Sequence, residues 1–179
     1  MAVSTSYKHL LPSESSLFAS NRFDRDLVRD FLFVFSRAEY ALKKAGFVHA
    51  GFNDVPKIEW REFASKLGDR LLNCPDEAIE SAELYLSTNP PKKQTYGPHG
   101  LEWRERSRRS DQSAAQFLIE SATQVRHNLF HGGKDLMGRL AERDSELVSA
   151  ALLVIAFAIS LDSEIQKAFQ DAGPTIVDP

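Results

Sequence analysis

Cysteine is almost absent from this sequence, since Cys74 is the single one among 179 residues. One cysteine excludes an internal disulfide and a cysteine-based metal site, as is usual for proteins of a reducing cytosol. We therefore expect a cytoplasmic protein whose stability comes from a packed core.

Long hydrophobic runs and an excess of one charge sign are also missing. The most apolar run, 150–159, is about half of the roughly 20 residues needed to span a bilayer, and no secretory leader is recognisable at the N-terminus. We expect no membrane partner. The net charge of −3 gives no general nucleic-acid signal, so any basic surface must be local.

Apolar residues recur at helical spacing through most of the chain, and strand-like alternation of useful length is lacking. The pattern predicts an all-α bundle of about five helices without a significant β-sheet, forming one domain over 1–179. Its core is expected over about 22–172, with a proline- and glycine-rich loop at 88–100 and a frayed tail at 173–179. The predicted helices span about 23–46, 57–72, 75–88, 110–131 and 142–172. A backward extension of the fourth helix through 101–110 is an alternative.

The stretch "VRHNLFHGGK", from Val125 to Lys134, places basic side chains where the fourth helix ends. Basic residues followed by glycine are typical of a helix C-terminus, which gives a capping interpretation. Arg126 and His131 are roughly 140° apart on an ideal helix and converge only if Gly132 and Gly133 end or bend it. His127 and His131 share a face, but the sequence lacks the further ligands of a usual zinc site, so we expect no metal.

This stretch resembles the signature of the HEPN superfamily, small all-helical domains found in prokaryotic defence and toxin–antitoxin systems. That signature is an arginine, four to six residues, and then a histidine, here Arg126 and His131. The stretch is similar to a subset reading close to "RNNLFHGGK", in which an asparagine more often stands at the position of His127. The segment "FVFSRAEYALKKAGF", residues 33–47, resembles the first helix of the same subset.

The resemblance implies a metal-independent endoribonuclease that needs no cofactor. His131 can exchange protons near neutral pH, and Arg126 offers a planar charged fork to phosphate oxygens. Asn128 is expected to orient the histidine or to donate to a phosphate, and Lys134 to add a positive charge. The expected products are a 2′,3′-cyclic phosphate and a 5′-hydroxyl.

The resemblance also implies partners. Such domains typically dimerise so that two motifs face one composite cleft, and we expect a homodimer. An antitoxin or another defence-system protein is a further candidate partner. Glu39 on the first helix is expected to direct Arg126 or polarise His131, although a solvated contact with Lys43 is the simpler alternative. Arg37 is likewise either a site residue or a solvated residue of the first helix, and the sequence favours a site role less for Arg37 than for Glu39.

Residues 92–109 hold six lysines and arginines against two glutamates, a local charge of +4, with Tyr96, His99 and Trp103 between them. This composition is typical of single-stranded nucleic-acid binding, although charge runs are usually solvated surface. The expected RNA-binding residues are His127, Lys134, Arg104, Arg106, Arg108 and Arg109. The alternative functions are a non-catalytic module that binds RNA or a partner protein, or an interaction-only helical bundle in which the motif is a helix cap.

Overall fold

The first helix, α1, spans Arg25–Lys44 in a computed structural model that describes residues 24–73, 75–130 and 141–171. It begins where the Asp24 side chain accepts hydrogen bonds from the backbone N–H groups of Asp26 and Leu27. It ends before Gly46, whose φ of 85° is a left-handed conformation that glycine adopts without a steric penalty. The predicted first helix is therefore confirmed to within two residues at each end.

A short antiparallel hairpin follows, formed by β1 (Val48–Ala50) and β2 (Pro56–Ile58). The second helix, α2, spans Trp60–Leu67 and continues as a 3₁₀ turn over Gly68–Leu71. The sequence placed the start of this helix at about residue 57, three residues too early, because Lys57 and Ile58 pair with β1 instead.

The third helix, α3, spans Glu77–Thr88 and is capped at its N-terminus by Asp76. After it comes a second antiparallel hairpin, β3 (Lys93–Gly97) paired with β4 (Gly100–Arg104). A loop was predicted over 88–100, but residues 93–97 of that range form β3 and Gly100 begins β4. The prolines and glycines mark only the approach and the turn, where Gly100 has a φ of 98°.

The fourth helix, α4, spans Ala114–Phe130 and carries the first part of the motif. The proposed backward extension through 101–110 is wrong, because residues 101–104 belong to β4. The capping residue is Ser113, whose Oγ accepts from the backbone N–H of Gln116 while the Gln116 side chain accepts from Ser113 N–H.

The predicted last helix is two helices, α5 (Ala141–Ser160) and α6 (Ser163–Gln170), with an angle of 114° between them. Asp162 lies at the break and accepts hydrogen bonds from the N–H groups of Glu164 and Ile165, so it starts a new helix. Arg37 of α1 fixes the far end of α6 by donating to the carbonyl oxygens of Ala168, Phe169 and Asp171.

The core forms around α5, which packs against α1, α3 and α4. The largest fully buried side chains of the core include Phe31, Phe63, Leu42, Leu67, Leu71, Leu86, Leu118, Ile119, Leu147, Ile155 and Ile165. The mainly α-helical class is confirmed, and the strands of the described residues form only two short two-stranded sheets. Within the same residues, no single helix is long and apolar enough to cross a membrane, and α5 with α6 reaches that length and hydropathy only across their bend.

Candidate functional site

An open groove of about 630 Å³ lies between α1, β2, the start of α2 and the last turns of α4. The residues lining it are Phe35, Glu39, Lys43, Pro56, Lys57, Ile58, Trp60, Lys93, Thr123, Gln124, Arg126 and His127. Arg126 and three lysines carry four positive charges there against the single carboxylate of Glu39. With His127 neutral, the lining has a charge of +3, although the whole chain is acidic.

The side chain of Arg126 is held in this groove by three contacts. Its Nη2 lies 3.9 Å from Glu39 Oε1, and its guanidinium carbon lies 4.7 Å from the Phe130 ring centre and 5.8 Å from that of Phe35. A guanidinium over aromatic faces is attracted by the ring electrons and loses part of its rotational freedom. Because Arg126 remains one-third exposed, it can still meet a ligand in the groove.

Glu39 and Arg126, on the two helices that carry the quoted motifs, are thus brought together. A distance of 3.9 Å between partly exposed groups gives a weak ion pair, worth well under about 1 kcal/mol. The pair orients the arginine more than it stabilises the fold. Arg37, by contrast, is used at the end of α6, and its side chain has a structural role.

Asn128 is not at the groove surface, and the expectation that it contacts phosphate is corrected. Its side chain is buried, accepts from Gln124 Nε2 at 2.8 Å and donates from Nδ2 to the carbonyl oxygen of Lys92 at 2.9 Å. The spacing of the motif could not reveal this, because the partner carbonyl lies 36 residues earlier in the chain. Asn128 therefore fastens the base of the β3–β4 hairpin to α4.

The motif continues beyond the described part of the chain. His131, the expected proton-transfer residue, and Lys134 lie outside the described residues, as do Gly132 and Gly133. His127 lies inside them, is exposed and lines the groove beside Arg126. Among the described residues, no group of three metal-binding side chains is assembled.

The predicted basic and aromatic span separates into distinct surfaces. In the hairpin register Tyr96 pairs with Leu101 and Gln94 pairs with Trp103. The exposed apolar side chains therefore lie on one side of the hairpin. Lys93 faces Arg104 on the other face, and Lys93 reaches the groove. Aromatic and basic side chains that alternate in the sequence are thus on opposite sides of the hairpin.

The four predicted RNA-binding arginines have different environments. Arg104 and Arg108 are exposed, and Arg104 lies 3.9 Å from Glu102. Arg106 is mostly buried, with its guanidinium over the Phe117 ring, and this desolvation lowers the pKa of Arg106. Direct contact of Arg106 with RNA is therefore not supported, whereas the exposed Arg109 remains available.

Several groove residues were missed by sequence reasoning, among them Lys43, Lys57 and Trp60. From the sequence, Lys43 was named as the alternative solvated contact of Glu39, and Lys57 and Trp60 were not among the candidate site residues. Isolated lysines on separate elements form no pattern, so only the packing of α1 and β2 beside α4 reveals their common surface.

No family model matches this chain, and neither the curated proteins nor the solved structures contain a match to it. The likeness to the HEPN superfamily therefore stays a prediction based on the two quoted segments.

Proposed function

We propose that this protein is a metal-independent endoribonuclease of the HEPN type, with its reaction centre at the end of α4. The observation that carries the proposal is the position of Arg126, a motif residue held in an open groove of net positive charge. RNA presents one negative charge per nucleotide, and a concave basic surface is what its backbone requires. Neither a helix cap nor a stable core needs lysines from three separate elements beside that arginine.

The cleavage reaction needs only a few protein groups. The 2′-oxygen of a ribose attacks the adjacent phosphorus after losing its proton, the bond from phosphorus to the 5′-oxygen breaks, and the leaving oxygen takes up a proton. Arg126 stabilises the charge that develops on the phosphate oxygens. His131, five residues further along, transfers a proton, since a histidine has a reference pKa of about 6.5.

The surroundings of Arg126 suit this role. Glu39 and the ring of Phe130 hold the guanidinium before a substrate arrives, so less rotational freedom is lost on binding. Lys43, Lys57 and Lys93 attract the backbone without selecting bases. Glu39 is a positioning residue in this arrangement.

The same proposal includes a homodimer, because two proton-transfer groups are needed and each chain supplies one His131. It also places the protein in the cytoplasm. Its biological role is that of a toxin or defence effector, controlled by an antitoxin or another partner. Expression of the wild-type chain is then expected to arrest cell growth, and expression of Arg126→Ala is not.

A second candidate is a non-catalytic module that binds RNA through the groove. The buried amide of Asn128 favours it, since that group was expected at the reaction centre and is committed to Gln124 and Lys92. The two candidates differ only in whether bound RNA is cut.

Incubation of the protein with RNA in excess chelator tests the proposal. Cleavage that persists, yields 2′,3′-cyclic phosphate ends, and is lost in folded Arg126→Ala and His131→Ala supports it. Lys44→Ala is the matched control, because Lys44 follows Lys43 on α1 but does not line the groove. Binding without cleavage of any RNA supports the second candidate, and neither binding nor cleavage rejects both.

A further inference from the structure

Three arginines surround a single carboxylate on α4, at Glu120. Arg61 Nε lies 3.0 Å from Glu120 Oε1, Arg106 Nη2 lies 3.6 Å from Oε2, and Arg109 Nη2 lies 3.7 Å from Oε1. Gln112 Nε2 also donates to Oε2 at 2.9 Å. We call Arg61, Arg106, Arg109 and Glu120 the Glu120 cluster.

The Glu120 cluster has more positive charge and more hydrogen-bond donors than its carboxylate can satisfy. Each guanidinium offers about five N–H donors. Within the described part of the chain, Arg61 has Glu120 as its one charged partner, and the buried Nη1 of Arg106 has no hydrogen-bond partner. Asp111 pairs with Arg109 Nε at 3.3 Å but is itself exposed. An oxygen-rich anion would supply further acceptors to the half-exposed Arg61 and Arg109, whereas Nη1 of Arg106 is buried away from it.

Stability alone does not account for this arrangement. The side chains of Arg61 and Arg109 are about half exposed, and exposed ion pairs contribute little to the free energy of unfolding. Repulsion among the arginines around a single glutamate reduces this contribution to the free energy of unfolding further. Their common feature is that both point charged, partly unpaired groups to the surface beside α4.

The Glu120 cluster lies on the same side of α4 as the groove. Glu120 and His127 are seven residues apart, which corresponds to about 10 Å along the helix and about 20° around it. Arg61 directly follows Trp60, which lines the groove, and it belongs to the same helix, α2. The arginines of the cluster therefore lie next to the basic groove along α4.

We propose that the Glu120 cluster is a second phosphate subsite for the RNA strand that occupies the groove. The inference rests on the proposed function, because the same strand must pass Arg126. Arg61 and Arg109 donate to one backbone phosphate, while Glu120 and Gln112 hold the arginines in place. Glu120 and Arg126 are six residues apart, about 9 Å along α4, so that phosphate is a few nucleotides from the one at Arg126.

The test is binding of two labelled 2′-O-methyl oligoribonucleotides, which lack the attacking hydroxyl and are not cut. One has about twelve nucleotides and reaches both subsites, and the other has about three and reaches only one. We expect Arg61→Ala and Arg109→Ala each to raise the Kd of the longer oligonucleotide about fivefold. Each is also expected to lower the slope of log Kd against log salt by about 0.7, with little change for the shorter one.

Arg29→Ala is the matched control. Arg29 is also exposed and ion-paired, with Asp26 and Asp30 on α1, but it lines neither the groove nor the cluster. Its removal is expected to leave both Kd values unchanged. An equal effect of Arg29→Ala and Arg61→Ala overturns the subsite, because binding would then follow net charge alone.

Glu120→Gln separates a ligand site from a structural hub by the sign of its effect. In a phosphate subsite the glutamine oxygen still accepts from the arginines, and the loss of the negative charge tightens binding of the longer oligonucleotide. In a purely structural hub it lowers the melting temperature and leaves the Kd unchanged. If Arg126→Ala abolishes binding while changes at Arg61 and Arg109 do nothing, the second subsite is rejected and the proposed function stands. If the wild-type chain binds no RNA, both are rejected.

Discussion

Asn128 and Lys92 are joined by a hydrogen bond of 2.9 Å from the asparagine amide to the lysine carbonyl oxygen, which connects α4 to the start of β3. Asn128 is two residues from Arg126, and Lys92 is one residue from Lys93, which lines the groove. The hairpin and the motif helix are therefore positioned relative to each other by one buried amide.

Replacing this amide tests how much the connection stabilises the fold. Asn128→Leu removes two hydrogen bonds and leaves the carbonyl of Lys92 without its donor, so we expect a loss of about 1–3 kcal/mol in the free energy of unfolding. Urea denaturation measures it. Asn73→Leu, at an exposed position, is expected to change this free energy by less than about 0.5 kcal/mol. Equal effects at the two positions would contradict the role of Asn128.

Glu39→Gln tests the carboxylate beside Arg126. Because the pair is partly exposed and 3.9 Å long, we expect little change in stability. Loss of its negative charge in the groove favours RNA binding, whereas loss of the contact that directs Arg126 lowers the cleavage rate by about tenfold. Single-turnover kinetics and binding measure the two effects separately. A rate and an affinity that fall together would mean that Glu39 contributes to binding instead.

The lysines of the groove are expected to act on RNA through charge alone. Lys43→Ala removes one phosphate neighbour and lowers the slope of log Kd against log salt by about 0.7. Lys44→Ala, one residue further and stacked on the ring of Tyr40, is expected to leave the slope unchanged. Titrations at several salt concentrations compare the two, and identical slopes would place the RNA elsewhere.

Asp162 gives a pH-dependent contribution to stability. The Lys66 ammonium, 2.7 Å away, is the largest cause that holds the pKa of Asp162 below its ordinary value of 3.8, and the N–H groups of α6 act in the same direction. A carboxylate with a lowered pKa stabilises the folded state above its unfolded pKa, and the contribution is lost as the pH falls through the folded pKa.

We therefore expect Asp162→Asn to lower the melting temperature at pH 7, where the lost ion pair matters, and to converge with the wild type well below pH 4. Asparagine still caps a helix, so α6 is retained. Thermal denaturation across this pH range measures the difference. A difference that persists undiminished at the acid end would assign it to packing.

The helical elements could be predicted from sequence because their signals are local. Asp24, the apolar stripe of α1 and Gly46 are all within that helix or beside it. The β3–β4 hairpin was missed because five-residue strands with both faces partly exposed show too little alternation. The break before α6 was also missed, since Asp162 interrupts an apolar pattern without a glycine or a proline.

Only part of the candidate site could be predicted from the sequence, because the site is formed by residues far apart in the chain. The motif indicated Arg126 and the first helix indicated Glu39, but their contact joins residues far apart in sequence. The groove lysines and the residues of the Glu120 cluster come together only because α1, α2 and β2 pack beside α4. No local sequence pattern predicts that packing. Asn128 shows the converse, because its place in the motif concealed a structural role.

The position of Trp60 in the wall of the groove has a practical consequence. The chain has only one other tryptophan, Trp103, on the outer face of the second hairpin. In Trp103→Phe the remaining indole emission comes from the groove alone, so its quenching would follow ligand entry without any attached dye. Trp60 is therefore an intrinsic fluorescent reporter of ligand binding in the groove.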